Sequence, residues 1–266
     1  MSNDTNFIPE ITINNTGVTK EVEIDGVKQE VEVPAQEGFN LKTKDLEGNY
    51  KKQFFLKDLQ GIVILDRYKI QSKYGEDPAY FSNEFEFTGK RNYVRVYCPS
   101  NKEVLYEGPY KGAKEHFATG GLNKMGLPLK TFDVYSVLYL LIEGEVFRFN
   151  WKMNRGNGWF SYKDGCKIDK ESRDDTKDYR GAITKFGLER KKFGKIEFWT
   201  CNLQNIGAND RAEADSVGNT LEATMDEKEG QRGENKTLQD APGFGGTPQE
   251  PKENPEEEIA VDSIPF

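Results

Sequence analysis

Residues 145–153 read Glu-Val-Phe-Arg-Phe-Asn-Trp-Lys-Met, and this stretch decides the fold class. Polar and apolar side chains alternate along it, and a period of two is typical of a strand with one buried face. One face carries Arg148, Asn150 and Lys152, whereas the other carries aromatic rings. The stretch therefore predicts a strand with an open basic face. Its aromatic face either belongs to the core or offers rings to a ligand.

The rest of the chain supplies more strands than helices. Apolar residues alternate on both sides of Asp25-Gly26, which predicts a hairpin of residues 20–24 and 27–33. Residues 111–117 predict a short helix, whereas 131–142 fits a strand or a helix equally well because periodicity does not separate the two. This pattern predicts a mainly β domain, a small barrel or a sandwich. Further strands are predicted at residues 54–65 with a bulge at Gly61, 67–70, 81–87, 93–97, 103–107, 182–188 and 195–203.

The composition excludes several kinds of chemistry. The 266 residues include one histidine, His116, so a His-rich metal site or an HExxH motif cannot form. No GxSxG surrounds a serine, and no GxxxxGK[ST] loop occurs. We therefore expect no metal, no cofactor and no enzymatic activity. The abundant carboxylates leave a carboxylate-dependent nuclease open.

The sequence also suggests a compartment. Three cysteines without a CxxC pair are typical of a reducing environment. No apolar run approaches the ~18 residues that a membrane-spanning helix needs. The first residues lack the basic and apolar regions of a secretory signal. A cytoplasmic location without membrane attachment is therefore expected.

Charge is distributed unevenly along the chain. The net charge of −8 divides into −6 for residues 1–50, +8 for residues 51–206 and −10 for residues 207–266. Because the sign of each segment decides which partners it attracts, the basic middle is suited to a polyanion. We further expect the acidic end to compete with that polyanion for the basic middle segment.

Binding of a single nucleic-acid strand requires cations for the phosphates and aromatic faces for the bases. Residues 147–163 combine both kinds of side chain, and Tyr93, Arg95 and Tyr97 share one face of a predicted strand. The same rings also fit a core or an ordinary exposed sheet. The candidate DNA-binding residues are Arg148, Trp151, Lys152, Arg155, Trp159, Phe160, Tyr162, Lys163, Tyr93, Arg95, Tyr97, Arg67 and Lys69.

The C-terminal segment has the composition of a tethered peptide ligand. Residues 207–255 contain a single aromatic residue, Phe244, which predicts a disordered linker. Glu256–Glu258 and a compact apolar end follow. Phe266 offers both a ring and the α-carboxylate, and Pro265 reduces the cost of ordering them. The end therefore predicts a motif that docks on a basic, apolar surface of another protein.

These residues resemble the C-terminal end of bacterial and phage single-stranded DNA-binding proteins. Asp262-Ser263-Ile264-Pro265-Phe266 is similar to the Asp-Ile-Pro-Phe tip of that family, and residues 242–249 are similar to its Gly/Pro/Gln-rich linker. The resemblance implies that Asp262, Ile264, Pro265 and Phe266 bind replication, recombination and repair proteins. Ser263 interrupts the usual acidic run, which affects the strength of docking. The resemblance covers residues 242–266, and the core is similar only to divergent phage or plasmid versions.

The prediction is a mainly β protein with an OB-fold-like small barrel that binds single-stranded DNA without sequence preference and recruits partners through its tip. The expected segments are an arm and hairpin extension (1–50), the DNA-binding domain (51–206), the linker (207–255) and the tip (256–266). The resemblance places it at the nucleoid, or in a host cytoplasm if a phage encodes it. An alternative is an interaction protein without DNA binding that competes for the same partners. Homo-oligomer formation stays open.

Overall fold

The computed structural model describes residues 7–15, 18–24, 27–33, 36–45, 47–55, 58–73, 76–122, 128–153, 158–169, 171, 176–193 and 196–239. The fold is mainly β, as predicted. Its strands are Glu10–Ile13 (β1), Val18–Ile24 (β2), Val27–Val33 (β3), Phe39–Lys44 (β4), Tyr50–Phe55 (β5), Leu59–Ser72 (β6), Phe81–Ser82 (β7), Val94–Cys98 (β8), Glu103–Gly108 (β9), Ala118–Leu122 (β10), Pro128–Lys130 (β11), Phe132–Ile142 (β12), Glu145–Lys152 (β13), Ala182–Phe193 (β14) and Ile196–Ala208 (β15). The α-helices are Tyr110–His116 (α1), Trp159–Cys166 (α2) and Arg211–Gln239 (α3), and Asp178–Gly181 forms a 3-10 helix.

Most strands belong to one large sheet. Its order is β5-β4-β1-β13-β12-β6-β7-β8-β9, and β14 joins it by pairing with both β6 and β15. β6 is the organising strand because it pairs with β12, β7 and β14. The predicted hairpin of β2 and β3 is confirmed as a separate two-stranded sheet, and β10 and β11 form another.

The β12–β13 hairpin confirms the alternation in residues 145–153. Residues 131–142, which fitted two structures, form a strand, and β12 pairs antiparallel with β13 from Tyr135–Lys152 to Ile142–Glu145. Glu143 and Gly144 both have positive φ, as a tight two-residue hairpin turn requires. Phe149 and Trp151 are buried, so the aromatic face of β13 belongs to the core.

One side chain links the end of β1 to β15, whose outer edge has no strand partner among the described residues. Asn15 follows β1, and its amide nitrogen donates to the Trp199 carbonyl in β15 at 3.0 Å. The Trp199 backbone N–H in turn donates to Asn15 Oδ1 at 2.6 Å. The Asn15 side-chain amide thus forms with Trp199 the two hydrogen bonds that the backbone of a paired strand would form. The strands around it enclose a core of Ile11, Phe39, Leu59, Val63, Leu138, Leu140, Phe149, Trp151, Trp159, Tyr162, Tyr179, Phe186 and Cys201.

A β-bulge in β6 places two consecutive apolar residues on the face of the sheet that α3 covers. The pairing with β12 shifts between Tyr139–Leu65 and Leu140–Val63, so Ile64 is the extra residue. The bulge predicted at Gly61 therefore lies a few residues further along. Ile64 and Leu65 both join a second apolar cluster on the outer face of the sheet, which α3 covers with Ala214, Val217, Leu221 and Met225.

The helix α3 corrects the expected disordered linker. Residues 207–255 were predicted to lack structure, but Arg211–Gln239 is helical and its first half packs against β6. The prediction is wrong for these residues because four apolar side chains at helical spacing bury one stripe despite the low overall hydrophobicity. The rest of the linker and the tip, residues 240–266, lie outside the described residues.

The boundary predicted at residue 50 is also corrected. β1 and β4 were assigned to an extension, yet β1 lies between β4 and β13 inside the main sheet. The reason is that Ile11 and Phe39 alternate with polar neighbours and complete the apolar core. Among the described residues, no helix is long and apolar enough to cross a membrane.

Gly218 marks the closest approach of α3 to the sheet. A Cβ at this position would lie 2.7 Å from the Ile64 carbonyl oxygen and 2.6 Å from Arg180 Nη2. Arg180 is itself held because its Nε donates to the Ile64 carbonyl at 2.7 Å and its Nη1 donates to Asn219 at 2.8 Å. Only a glycine therefore lets the helix pass at this distance.

We expect Gly218→Ala to lower the free energy of unfolding by about 1–3 kcal/mol, measured by urea denaturation, because the methyl group forces α3 away from Ile64. Helix propensity alone predicts the opposite sign, a gain of about 1 kcal/mol. Ser216→Ala, at an exposed position of the same helix, controls for propensity and should stabilise the protein slightly, by about 0.5 kcal/mol. A stabilised Gly218→Ala protein would contradict this packing of α3.

Candidate nucleic-acid interface

The outer face of the sheet is only partly covered by α3. Beyond the helix, Tyr135 in β12 lies directly between Lys69 in β6 and Lys152 in β13, as cross-strand partners on the same face. The Lys69 ammonium lies 5.6 Å from the centre of the Tyr135 ring. Lys152 forms an ion pair of 2.5 Å with Asp133. Register alone thus builds a lysine–tyrosine–lysine row across three strands.

The same face continues onto β4 and β5. Lys42 lies opposite Lys52, and Asn40 lies opposite Phe54. Tyr50 and Phe54 are 49% and 38% exposed, which is high for rings in a sheet. The Lys42 ammonium stands 4.1 Å above the Tyr50 ring. We call this surface the lysine–aromatic face. Tyr50, Lys52, Phe54 and Lys152 are exposed on it, whereas Lys42, Lys69 and Tyr135 are half-buried.

The opposition of Lys42 and Lys52 is electrostatically unfavourable. Like charges on directly paired residues of neighbouring strands repel, which costs a few tenths of a kcal/mol to about 1 kcal/mol. Within the part of the chain that the structure describes, neither ammonium has a carboxylate within 4.0 Å. A bound polyanion would relieve this repulsion, so the arrangement is typical of a surface that binds phosphates.

A polar cluster forms the border between the face and α3. Arg148 Nη2 pairs with Glu84 at 2.5 Å, and Arg148 Nη1 pairs with Glu10 at 3.8 Å. The Tyr139 hydroxyl donates to the other oxygen of Glu84 at 2.8 Å. Burial lowers the pKa of the neighbouring Lys69 to about 8, and repulsion from Arg148 contributes, although the two carboxylates oppose the shift.

Five residues predicted to bind DNA are buried instead. The Trp159 ring is fully buried, and its Nε1 donates to Asp66 at 3.2 Å. The sequence offered this ring as a DNA-binding candidate, but residues 159–166 form α2, which turns it into the core. The buried predicted residues are Trp151, Trp159, Tyr162, Lys163 and Arg67. Lys163 forms an ion pair with Asp66, and Arg67 forms ion pairs with Glu86 and Glu222.

Other predicted residues are exposed but lie elsewhere. Tyr97 in β8 lies on the outer face, because it pairs with Phe81, which in turn pairs with Gln71 of β6. It is separated from β4 and β5 by β6 and the strands between them. Phe160 in α2 is 42% exposed beside Phe87. Tyr93 is exposed, and Arg95 pairs with Glu107 at 3.0 Å. Arg155 and the tip residues Asp262, Ile264, Pro265 and Phe266 lie outside the described residues.

Lys69 and Lys152 are thus the predicted residues that the structure brings together on the lysine–aromatic face, with Arg148 at its border. The sequence reasoning missed the residues of this face in β4 and β5, and Tyr135. A signal was present, because Tyr50, Lys52 and Phe54 lie two residues apart and so share one face of a strand, although the polar residues on both faces hide the alternation that residues 145–153 show. Among the described residues, no group of three or more His, Cys, Asp and Glu side chains is placed to hold a metal ion.

Comparisons of this chain with models of known protein families, with curated proteins and with solved structures found no match.

We expect Lys52→Gln to raise the free energy of unfolding by about 0.2–1 kcal/mol at low salt, because it removes the repulsion from Lys42. Urea denaturation at two salt concentrations measures this, and the gain should shrink at high salt. Lys51→Gln is the matched control, since Lys51 lies on the other face of β5 and pairs with Asp45 at 3.6 Å. Equal effects of the two substitutions on the free energy of unfolding would show that the repulsion between Lys42 and Lys52 does not affect stability.

Proposed function

We propose that this protein binds single-stranded DNA without sequence preference on the lysine–aromatic face. One observation carries the proposal. Strand register places exposed rings, Tyr50 and Phe54, beside Lys42 and Lys52, whose ammonium groups have no described carboxylate within 4.0 Å. Lysines bind phosphates without reading the sequence, and aromatic faces stack on any base at about 1–3 kcal/mol per stack.

The arrangement favours a single strand over a duplex. A flat ring that lies on a sheet can stack only with a base whose face is free, and the bases of a duplex are already stacked on one another. The face also presents few paired hydrogen-bond donors and acceptors for reading base edges, because most of its polar groups are ammonium ions. Tight binding of unpaired strands with little discrimination among bases follows from this chemistry.

We also propose that the enclosed strands correspond to an OB-like barrel. The support is the ring of contacts β1-β13-β12-β6-β14-β15, which the Asn15 amide completes. Docking of replication, recombination and repair proteins on the C-terminal tip belongs to the same proposal and rests on the resemblance of residues 262–266. In this proposal the protein is a binding protein rather than an enzyme, and it acts in the cytoplasm.

The test is a fluorescence-anisotropy titration with labelled dT oligonucleotides, a duplex control and two salt concentrations. We expect tight, salt-sensitive binding of dT and weak binding of the duplex. Tyr50→Leu should weaken dT binding about 5- to 100-fold through the loss of one stack. Lys51→Gln, which faces away, should not. Absence of dT binding at low salt would refute the proposal and favour a protein that acts through its tip alone.

The pKa of Lys69 gives an independent prediction for the same face. A phosphate favours the charged ammonium, so affinity for dT should be full below pH 8 and should fall roughly fivefold as the pH rises above 8. Lys69 is flanked by Arg148, Glu10, Glu84 and Tyr135, and burial raises the pKa of Tyr135 to about 12, above this range.

Lys69→Arg is the control, because a guanidinium stays charged throughout the range. Its affinity should show no step near pH 8. The same step in both proteins would mean that another group titrates and that Lys69 does not contact DNA.

A further inference from the structure

A separate cavity of about 300 Å³ opens where β12 extends past the end of β13. This volume is at the small end of the range of ligand pockets, about 300–1,000 Å³. Three rings supply most of its walls, and a valine, a methionine, a lysine and a carboxylate complete them. The residues that define it are Phe87, Tyr110, Phe132, Val134, Met153, Lys130 and Asp133.

The rings of this cavity are held by packing rather than by a ligand. Phe87 stacks on Tyr68 with ring centres 4.0 Å apart, and Tyr110 stacks on Phe85 at 5.1 Å. Phe117, at the end of α1, packs edge-on against Phe132 at 5.9 Å. The site is therefore preformed, and a planar guest would not have to order these side chains.

Three lysines surround the cavity. The Lys130 ammonium stands 5.2 Å above the Phe132 ring, and the Lys114 ammonium stands 5.2 Å above the Tyr110 ring. Lys73 is the third lysine. Its backbone N–H donates to the Thr131 carbonyl, and the Thr131 N–H donates to the Phe117 carbonyl, which brings Lys73 close to Lys130. Burial lowers the pKa of Lys130, and repulsion from Lys114 and Lys73 adds to the effect. Within the described chain, none of the three has a carboxylate within 4.0 Å.

Asp133 connects the cavity to the lysine–aromatic face, although the apolar lining residues Phe132 and Met153 alternate with Asp133 and Lys152 and so lie on the opposite face of the sheet. Asp133 lines the cavity and pairs at 2.5 Å with Lys152, which belongs to that face. Tyr135, two residues further along β12, lies beside Lys152 in the register. The register of β12 with β13 ends at Tyr135 and Lys152, so a strand that follows this row would pass round the end of β13 to reach the cavity on the other face.

From this geometry we infer that the cavity is a nucleotide subsite, in which one unpaired base enters between the aromatic walls and its flanking phosphates lie on Lys73, Lys114 and Lys130. The inference rests on the proposed function and adds a second contact region to it. A base carries an N–H or amino donor for the Asp133 carboxylate. The acidic C-terminal peptide carries a ring and an anion but places a second carboxylate near Asp133, so it fits less well.

Photo-cross-linking of the full chain to dT oligonucleotides that carry one 5-iododeoxyuridine, followed by peptide mass spectrometry, tests this inference. We expect cross-links at Phe87 or Tyr110 in addition to rings of the lysine–aromatic face. Lys130→Gln and Lys114→Gln should each lower the slope of log affinity against log salt by about 0.7. Lys111→Gln, on the exposed side of α1, is the matched control and should leave the slope unchanged.

The outcomes separate the inference from the proposed function. Binding of dT with cross-links confined to Tyr50, Phe54 or Tyr135 would overturn the subsite and leave the face intact. Failure of dT to bind would overturn both. A peptide of residues 256–266 that blocks the cross-links at Phe87 and Tyr110, but leaves those at Tyr50, would assign the cavity to the acidic tip instead and would also overturn the nucleotide subsite.

Discussion

Two adjacent residues of β6 hold the layers of this protein together. The Asp66 carboxylate, on the core side, accepts hydrogen bonds from Trp159 Nε1 and Lys163 Nζ in α2, both at 3.2 Å, and from the Tyr179 hydroxyl at 2.9 Å. The Arg67 guanidinium, on the other side, pairs with Glu86 at 2.6 Å and with Glu222 of α3 at 2.8 Å. Because an uncompensated buried charge costs several kcal/mol, loss of either group would weaken the attachment of one layer to the central strand.

The docking of α3 changes the meaning of the charge pattern. The basic middle of the sequence suggested a surface open to polyanions, but part of that charge is neutralised within the fold. Although burial opposes it, hydrogen bonds from Lys177 and Arg67 lower the pKa of Glu222 to about 2, so this carboxylate remains ionised. Arg91 pairs with both Glu222 and Asp226 of the same helix. The acidic C-terminal segment is therefore in part a structural counterion, and the described carboxylates of α3 pair with Arg67, Arg91, Lys177, Arg180 and Arg211 rather than with the lysines of the lysine–aromatic face.

The sequence predicted the strands well where one face is buried, as in residues 145–153, because alternation reports burial directly. It did not predict α3, whose low hydrophobicity resembles that of a linker, although Ala214, Val217, Leu221 and Met225 follow helical spacing. Trp159 was misplaced because its burial depends on a distant partner, Asp66. The lysine–aromatic face joins β4 and β5 to β6 and β12, and only the strand order shows that segments so far apart in sequence share a surface.

Protection of a sheet edge offers a simpler reason for exposed lysines. β5 is an edge strand, and charged side chains on such strands prevent pairing with other molecules. That explanation accounts for Lys52 but not for the exposed rings of Tyr50 and Phe54, which would favour association. It also does not apply to Lys69 and Tyr135, since both belong to interior strands that have partners on each side. Edge protection and phosphate binding both predict a lysine on the edge strand β5. Only phosphate binding predicts lysines on the interior strands, and the lysine–tyrosine–lysine row on β6, β12 and β13 agrees with it.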